Sequence, residues 1–289
     1  MSVTSFSTAT SVADALAALA AGARPVAGGT DLVVGARSGK STLPESIVAI
    51  HRVAELQGVE LLEDGSLRLG ALASHAEIAA SADVRARFSA LTDACAIVGS
   101  HATRAQGTLG GNLMNASPAM ETGGPLVCLG ATVTLQSGSE PRDVLVEDLW
   151  TGPGETVARE DELLVGVHLP APLPGTGSAY LRLEYRRQME IAVVGATAVV
   201  TVVDGTVTDA RIAMTALSPT IRRVPEAEAA LGGSDGGGAA IAAAAAAVSA
   251  AAKPISDVRG SADYRRAMAA VIAGRAIETA LARARGKDA

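Results

Sequence analysis

Two glycine-rich segments have residue types that can bind an anionic group through the backbone. The first segment, Ala27-Gly28-Gly29-Thr30-Asp31-Leu32, directly follows a short strand predicted over residues 24–26. Paired glycines let backbone N–H groups approach an anion closely, and a nest of such groups binds phosphate without a basic side chain. Thr30 adds a hydroxyl donor. The pattern is equally typical of an ordinary strand-to-helix turn, so this segment alone leaves both interpretations open.

The second segment is Thr108-Leu109-Gly110-Gly111-Asn112-Leu113, followed by the sequence ASPAME at 116–121. It lies within residues 99–124, a long stretch without clear periodicity. Such stretches in compact domains are usually functional or disordered. This one is too apolar and too rich in Gly-Gly and Asn turns for disorder. We therefore expect the two Gly-Gly segments to bind one diphosphate from both sides.

Other motifs match their templates poorly. Gly35 and Gly39 enclose three residues, whereas the phosphate-binding P-loop requires four between its glycines. The G-x-S-x-G sequence at 232–236 lies in an Ala/Gly-rich stretch, which favours a loop over the strand–turn–helix of a nucleophilic serine. No metal-ligand spacing connects the four histidines, which are His51, His75, His101 and His168. We predict neither a metal site nor a catalytic residue in this chain.

The elements that must position these segments fall on either side of a linker. Prolines and glycines concentrate at residues 170–177, which we interpret as that linker. Asp204-Gly205 joins two alternating apolar runs and predicts a hairpin. Before the linker, we predict helices at 11–22, 74–82 and 86–98 and strands at 24–26, 46–50, 67–70, 126–136 and 162–169. After it, we predict hairpin strands at 195–203 and 207–217, a helical centre within 226–252 and a helix at 261–285.

Composition excludes several classes of protein. The 289 residues carry a net charge of −6, which argues against a nucleic-acid-binding face. Aromatic residues make up 2%, so the core must consist of Ala, Val and Leu. Two cysteines are too few for a disulfide framework or for the four ligands of an Fe–S cluster, and they fit a reducing cytoplasm. The alanine-rich run at 239–252 is too short and too weakly hydrophobic for a membrane span, and we predict none.

Three motifs occur together in a specific order: AGGTDL, TLGGN with ASPA soon after, and YRRQMEIAVVGA at 185–196. In this the chain resembles the FAD-binding medium subunit of the molybdenum hydroxylases, of the carbon monoxide dehydrogenase and xanthine dehydrogenase flavoprotein type. With SDVRGSADYRRAMA at 256–269, the resemblance covers nearly the whole chain. It implies an α+β fold, with a two-lobed FAD-binding domain (PCMH-type) and a C-terminal domain of antiparallel sheet and helices. The implied FAD-binding domain spans 1–172, with lobes at about 1–54 and 55–172, and the C-terminal domain spans 178–289.

The resemblance also implies roles for individual residues. The first segment would surround the FAD pyrophosphate with Val26, Ala27, Gly28, Gly29, Thr30, Asp31 and Leu32. The second would complete this cradle with Gly99, Gly107, Thr108, Gly110, Gly111 and Asn112. Three side chains would approach the flavin, namely Glu121, Leu164 and Arg182. Glu121 and Glu190 stand where the family usually has Asp, and Arg182 where it usually has Lys. Some relatives of this fold attach flavin covalently through a His in the first segment; Gly-Gly-Thr-Asp here predicts non-covalent FAD.

The function implied by the resemblance is electron transfer. This subunit would accept electrons from partner Fe–S clusters and pass them to an external acceptor. Molybdopterin would belong to a large partner subunit and [2Fe–2S] clusters to a small one, in a cytoplasmic dimer of heterotrimers. Two alternatives are a stand-alone flavin oxidase or reductase of the same FAD fold, and a non-enzymatic nucleotide-binding subunit that has lost its flavin. The intact Gly-Gly segments argue against the last.

Overall fold

The computed structural model of the chain describes residues 3–39 and 41–287. Its first unit is small and contains β1 (Ser5–Thr8), α1 (Val12–Ala20), β2 (Arg24–Val26), α2 (Thr30–Arg37) and β3 (Ser46–Ala49). The strands form a parallel sheet in the order β1-β3-β2. Helix α1 begins where predicted, because Ser11 and Asp14 form a reciprocal capping box. Strand β2 of this parallel sheet therefore leads directly into the first glycine-rich segment.

The second unit is built on an antiparallel sheet with six short helices. Its strands follow the order β4-β5-β10-β6-β7, and β8-β9 forms a separate ribbon. Leu67 and Leu135 of the sheet share one core with Ile78 and Leu113 of the helices and with Phe88, which separates two of the helices. The elements are β4 (Val59–Leu61), β5 (Leu67–Gly70), α3 (His75–Ala80), α4 (Ala82–Arg87), α5 (Ser89–Ile97), α6 (His101–Gln106), α7 (Leu109–Met114), α8 (Gly123–Cys128), β6 (Thr132–Gln136), β7 (Arg142–Leu145), β8 (Trp150–Gly152), β9 (Glu155–Thr156) and β10 (Leu163–Leu169).

The chain after residue 175 forms a four-stranded antiparallel sheet with three helices. These elements are β11 (Thr176–Leu183), β12 (Val194–Val203), β13 (Thr206–Thr215), β14 (Arg222–Arg223), α9 (Pro225–Leu231), α10 (Gly238–Ala251) and α11 (Ala262–Ala284). The linker predicted at 170–177 is wrong in its last two residues, because Thr176 and Gly177 belong to the first strand of this sheet. One face of the sheet packs on α11, and the other packs on α5 and α8. Within the described ranges, no helix is long and apolar enough to cross a membrane. Helices combined with largely antiparallel sheets confirm the predicted α+β class.

The predicted hairpin and the long C-terminal helix are confirmed. Asp204 and Gly205 both have positive φ, at 49° and 80°, as a two-residue turn between twisted strands requires. The strand predicted over 126–136 is wrong in its first part, because residues 126–128 belong to α8 and only 132–136 are extended. A short, fully buried apolar run has no periodicity that separates helix from strand. The predicted helix at 86–98 is interrupted at Phe88, and the aperiodic stretch 99–124 contains α6 and α7.

Candidate functional site

The first glycine-rich segment forms the loop from β2 into α2. Gly29 is the N-terminal cap of α2 and adopts the left-handed conformation, with φ 68°. None of the described residues accepts a hydrogen bond from the backbone N–H groups of residues 28–32. Free N–H groups at a helix N-terminus, together with the positive end of the helix dipole, attract anions. This loop can therefore bind a phosphate group through its backbone.

The residues directly before the second segment approach this loop very closely. A Cβ atom at Gly28 would lie 1.9 Å from the backbone oxygen of Gln106, at the end of α6. A Cβ at Gly107 would lie 3.5 Å from the Thr30 hydroxyl. Glycine is needed at position 28 because no other residue leaves room for this backbone approach. The structure thus places Gly28 of the first segment against Gln106 and Gly107, which directly precede the second segment.

The N–H groups at the start of α7 already have acceptors inside the protein. Leu109 and Gly110 donate to the backbone oxygens of Ala73 and Ala71, each at 2.9 Å. Gly111 donates to the Thr108 hydroxyl at 3.1 Å. The N–H groups of the predicted Gly-Gly pair therefore form hydrogen bonds inside the protein, and that of Gly110 holds the loop after β5 in place. Asn112 likewise uses its side-chain oxygen internally, accepting a hydrogen bond from Thr122.

Free donors in this second region lie instead around α6. In the described part of the chain, the N–H groups of residues 99–102 and of Thr108 have no acceptor. Ser100 caps α6, since its hydroxyl accepts a hydrogen bond from Thr103 N at 3.2 Å. Gly99 has a positive φ of 50°. The backbone N–H groups of Gly99 and Thr108 are thus free to make the predicted contacts. Those of Gly110 and Gly111 are not free.

A segment from beyond the linker reaches the same region. Met189 donates its backbone N–H to the Gly99 oxygen at 2.9 Å, and the Thr103 hydroxyl lies 3.6 Å from the Met189 sulfur. Met189 itself adopts a positive φ of 53°, which is uncommon for a residue other than glycine. Sequence reasoning assigned no role to Met189, although it belongs to the YRRQMEIAVVGA motif. This contact connects the candidate site to the C-terminal sheet.

Two of the predicted side chains form a buried ion pair. Arg182 of β11 donates to the Glu121 carboxylate, and its Nε donates to Glu184 at 2.6 Å. The Arg182 side chain is 1% exposed and that of Glu121 8% exposed. Burial raises the pKa of the Glu121 carboxyl, and the Arg182 charge opposes this rise. The pair therefore joins the segment after α7 to β11 across the linker.

Leu164 and Asp31 lie in very different surroundings. Leu164 of β10 is buried in the main core, so little of its side chain is available to a ligand. Its contact with a flavin stays a prediction. Asp31 lies in the first turn of α2, where its side chain is exposed. Ala27 directly precedes the free N–H groups, and the N–H group of Leu32 is the last of them.

The buried sulfur and imidazole groups are held in uncharged forms. Burial, and secondarily the Arg104 charge, lower the pKa of His75 to about 4. His75 Nδ1 lies 3.7 Å from the Cys95 sulfur. Cys95 and Cys128 are free, fully buried thiols whose pKa is raised by burial. Within residues 3–39 and 41–287, no group of three or more His, Cys, Asp or Glu side chains is placed to hold a metal.

Replacing Thr30 with alanine should weaken FAD binding by about fivefold. The Thr30 hydroxyl has no acceptor in the described structure and lies at the junction of the two segments, so it is free to donate one hydrogen bond. A neutral hydrogen bond is worth about 1 kcal/mol, which corresponds to this factor. Fluorescence titration of the flavin-free chain with FAD measures the dissociation constant. An unchanged constant would show that the Thr30 hydroxyl does not contact the cofactor.

Comparison with known proteins places this geometry in a family. The model described as "FAD binding domain in molybdopterin dehydrogenase" matches residues 2–172, and "CO dehydrogenase flavoprotein C-terminal domain" matches residues 179–280. The carbon monoxide dehydrogenase medium chain of Afipia carboxidovorans is 32% identical over 95% of this chain and 96% of its own. The xanthine dehydrogenase FAD-binding subunit of Escherichia coli O157:H7 is 29% identical over 98% of both chains.

Solved structures show the same likeness. A chain of carbon monoxide dehydrogenase from Hydrogenophaga pseudoflava superposes with a TM-score of 0.92 and 31% identity, covering 96% of this chain and 97% of that one. A chain of quinoline 2-oxidoreductase from Pseudomonas putida 86 gives 0.90 and 28%, covering 97% of each. The resemblance seen in the sequence motifs is confirmed. The chain belongs to the family of FAD-binding medium subunits of the molybdenum hydroxylases, of the carbon monoxide dehydrogenase and xanthine dehydrogenase type.

Proposed function

We propose that this chain is the electron-transfer component of a molybdenum-containing hydroxylase or dehydrogenase. It would bind FAD non-covalently, receive electrons from Fe–S clusters of a partner subunit and pass them to an external acceptor. The observation that carries this proposal is the row of free N–H groups at residues 28–32, on a loop that lies against the end of α6, together with the free N–H groups of residues 99–102 at the start of that helix. FAD, when bound, supplies one- and two-electron redox chemistry.

The residues present fit the diphosphate of FAD. Gly28 allows the first loop to approach the end of α6, and a Cβ atom there would fill the space that the Gln106 backbone occupies. Thr30 adds a hydroxyl beside Gly107. Backbone nests of this kind bind phosphate without a nearby lysine or arginine. These residues would orient the pyrophosphate and so position the rest of the cofactor. The first segment contains no histidine, which supports non-covalent attachment.

The composition of the chain supports a division of labour between subunits. Its only two cysteines are buried and unavailable, whereas a [2Fe–2S] cluster requires four protein ligands. We therefore assign the [2Fe–2S] clusters to a small partner subunit and molybdopterin to a large one. The expected assembly is a dimer of heterotrimers in the cytoplasm. We also propose domain boundaries at 1–172 and 178–289, with lobes of the first domain at about 1–54 and 55–172.

Reconstitution tests this function. The purified chain should be yellow, and acid should release all of its flavin. When it is mixed with its molybdopterin and [2Fe–2S] partners, the oxidised substrate should reduce the flavin; without the [2Fe–2S] partner, the flavin should stay oxidised. Turnover of an organic substrate by the isolated chain would instead favour a stand-alone flavin oxidase or reductase. A chain that never binds FAD would contradict the proposal at its first step.

A further inference from the structure

The buried imidazole of His75 lies at the contact between the end of α6 and the first glycine-rich loop. His75 is the first residue of α3, and its backbone N–H donates to the Gly107 oxygen at 3.2 Å. A Cβ atom at Gly107 would lie 3.3 Å from His75 Cδ2, the ring carbon bonded to Nε2, and 3.5 Å from the Thr30 hydroxyl oxygen. The imidazole and the Thr30 hydroxyl therefore lie on the same side of Gly107.

The two ring nitrogens of His75 have different surroundings. Nδ1 lies 3.7 Å from the sulfur of Cys95 in α5. Within residues 3–39 and 41–287, Nε2 has no hydrogen-bond partner, although the residue is only 2% exposed. Polar atoms of buried side chains are nearly always paired, because an unpaired one costs free energy. An unpaired nitrogen on this side chain, beside the free N–H groups of residues 28–32, points to a bound ligand.

Cys95 decides which ring nitrogen of His75 carries the proton. Burial raises the pKa of the Cys95 thiol, and burial and, secondarily, the Arg104 charge lower the pKa of His75 to about 4. Both groups are therefore uncharged at neutral pH. A thiol sulfur is a weak acceptor, whereas the unprotonated nitrogen of a neutral imidazole accepts readily. The S–H group thus donates to Nδ1, and the ring proton resides on Nε2.

We propose that His75 binds the diphosphate of FAD, with its Nε2–H group donating to a phosphate oxygen beside the Thr30 hydroxyl. This inference rests on the proposed function, in which this site holds FAD. A neutral donor suits the position, because it adds a hydrogen bond to an anion without burying a second positive charge near Arg104. Cys95 then has a role as well, since it holds the imidazole in the form that donates.

Substitutions at His75 in the full-length chain test this contact by titration of the flavin-free protein with FAD. His75→Leu removes the donor at similar volume and should weaken binding by about tenfold or more. His75→Gln carries a neutral N–H donor at a similar distance from the backbone and should recover most of that affinity. His168→Leu is the matched control, because His168 is exposed on β10. It should bind within about twofold of the unaltered chain.

Nitrogen NMR of the unaltered chain, labelled with isotope in its four histidines, gives a second measurement that a role in packing alone would not affect. The His75 signals are identified by their absence from His75→Gln. They should report the Nε2–H form both without and with FAD, and the Nε2 signal should move when FAD binds. A ring proton on Nδ1, or an Nε2 signal that ignores FAD, would overturn the assignment.

The outcomes separate this inference from the proposed function. An unaltered chain that does not bind FAD contradicts the proposed function itself. If the unaltered chain binds FAD and His75→Leu binds within about twofold of it, the imidazole does not contact the cofactor. Equal losses of affinity in His75→Leu and His75→Gln would mean that His75 acts through packing and not as a donor.

Discussion

Replacing Gly28 with alanine is expected to leave the chain folded but nearly free of FAD. The new Cβ atom would lie 1.9 Å from the Gln106 oxygen, whereas ordinary contact begins at 3.4 Å. The backbone fixes the position of a Cβ atom, and the Gln106 oxygen is itself a backbone atom, so the first loop and the end of α6 must move apart. Free N–H groups on the two sides could then no longer reach one diphosphate. Hydrogen bonds to a charged group contribute about 1.5–3 kcal/mol each, so losing two weakens FAD binding at least about a hundredfold.

The measurement is the flavin-to-protein ratio of the purified variant, together with its dissociation constant for added FAD. Gly138→Ala is the matched control, because nothing lies within 4 Å of a Cβ at Gly138 and its φ is not left-handed. That variant should keep full flavin content. Gly28→Ala with full flavin content would mean that the close approach of the two segments is unnecessary, and the candidate site would then have to lie elsewhere.

Elements with local causes are predictable from the sequence. Asp204-Gly205 alone predicts the hairpin, because few other pairs tolerate positive φ at both turn positions. The helix that follows Ser261 begins as expected, since the serine hydroxyl accepts the Tyr264 N–H at 3.1 Å. In both cases, the deciding contacts lie within four residues. Local pattern is therefore sufficient for these boundaries.

The site is only partly predictable, because it depends on contacts that are distant in the sequence. Both glycine-rich segments are recognisable, yet the pattern does not show which N–H groups remain free. Gly110 looks like a ligand donor, but its N–H bonds to Ala71 at the end of β5. The contact of Met189 with Gly99 crosses the linker and has no local signal. Tertiary packing, not residue type, decides which donors face a ligand.

Replacing Arg182 with leucine should be strongly destabilising at neutral pH. The change leaves Glu121 buried beside Glu184, without the positive charge that Arg182 supplies. Removing one partner of a buried ion pair costs about 3–5 kcal/mol of the free energy of unfolding. Arg68→Leu is the matched control, because the Arg68–Glu60 pair is mostly exposed and contributes about 1 kcal/mol or less. Urea denaturation of the flavin-free chains measures both effects and keeps them separate from cofactor binding.

The penalty in Arg182→Leu should shrink as the pH falls. Burial already raises the pKa of Glu121 above its ordinary 4.5, and Arg182 is the main group that opposes this rise. Without Arg182 that pKa rises further, so the folded variant binds more protons than the unfolded chain. Stability from such a group is fully present below the unfolded pKa and is lost as the pH rises through the folded one. The variant should therefore recover stability relative to the unaltered chain on acidification toward 4.5.

The pH dependence separates an electrostatic role of Arg182 from simple packing. If the buried guanidinium mattered only for the space it fills, Arg182→Leu would lose the same free energy at every pH. Arg182→Lys tests the point from the other side, because lysine keeps a positive charge near Glu121 but loses the Nε bond to Glu184. It should recover most of the free energy of unfolding at neutral pH. Its remaining loss relative to the unaltered chain should change little as the pH falls. Arg182→Leu could instead lose the same free energy of unfolding at every pH, and Arg182→Lys could be no more stable. Together these results would show that Glu121 is not held as a paired carboxylate.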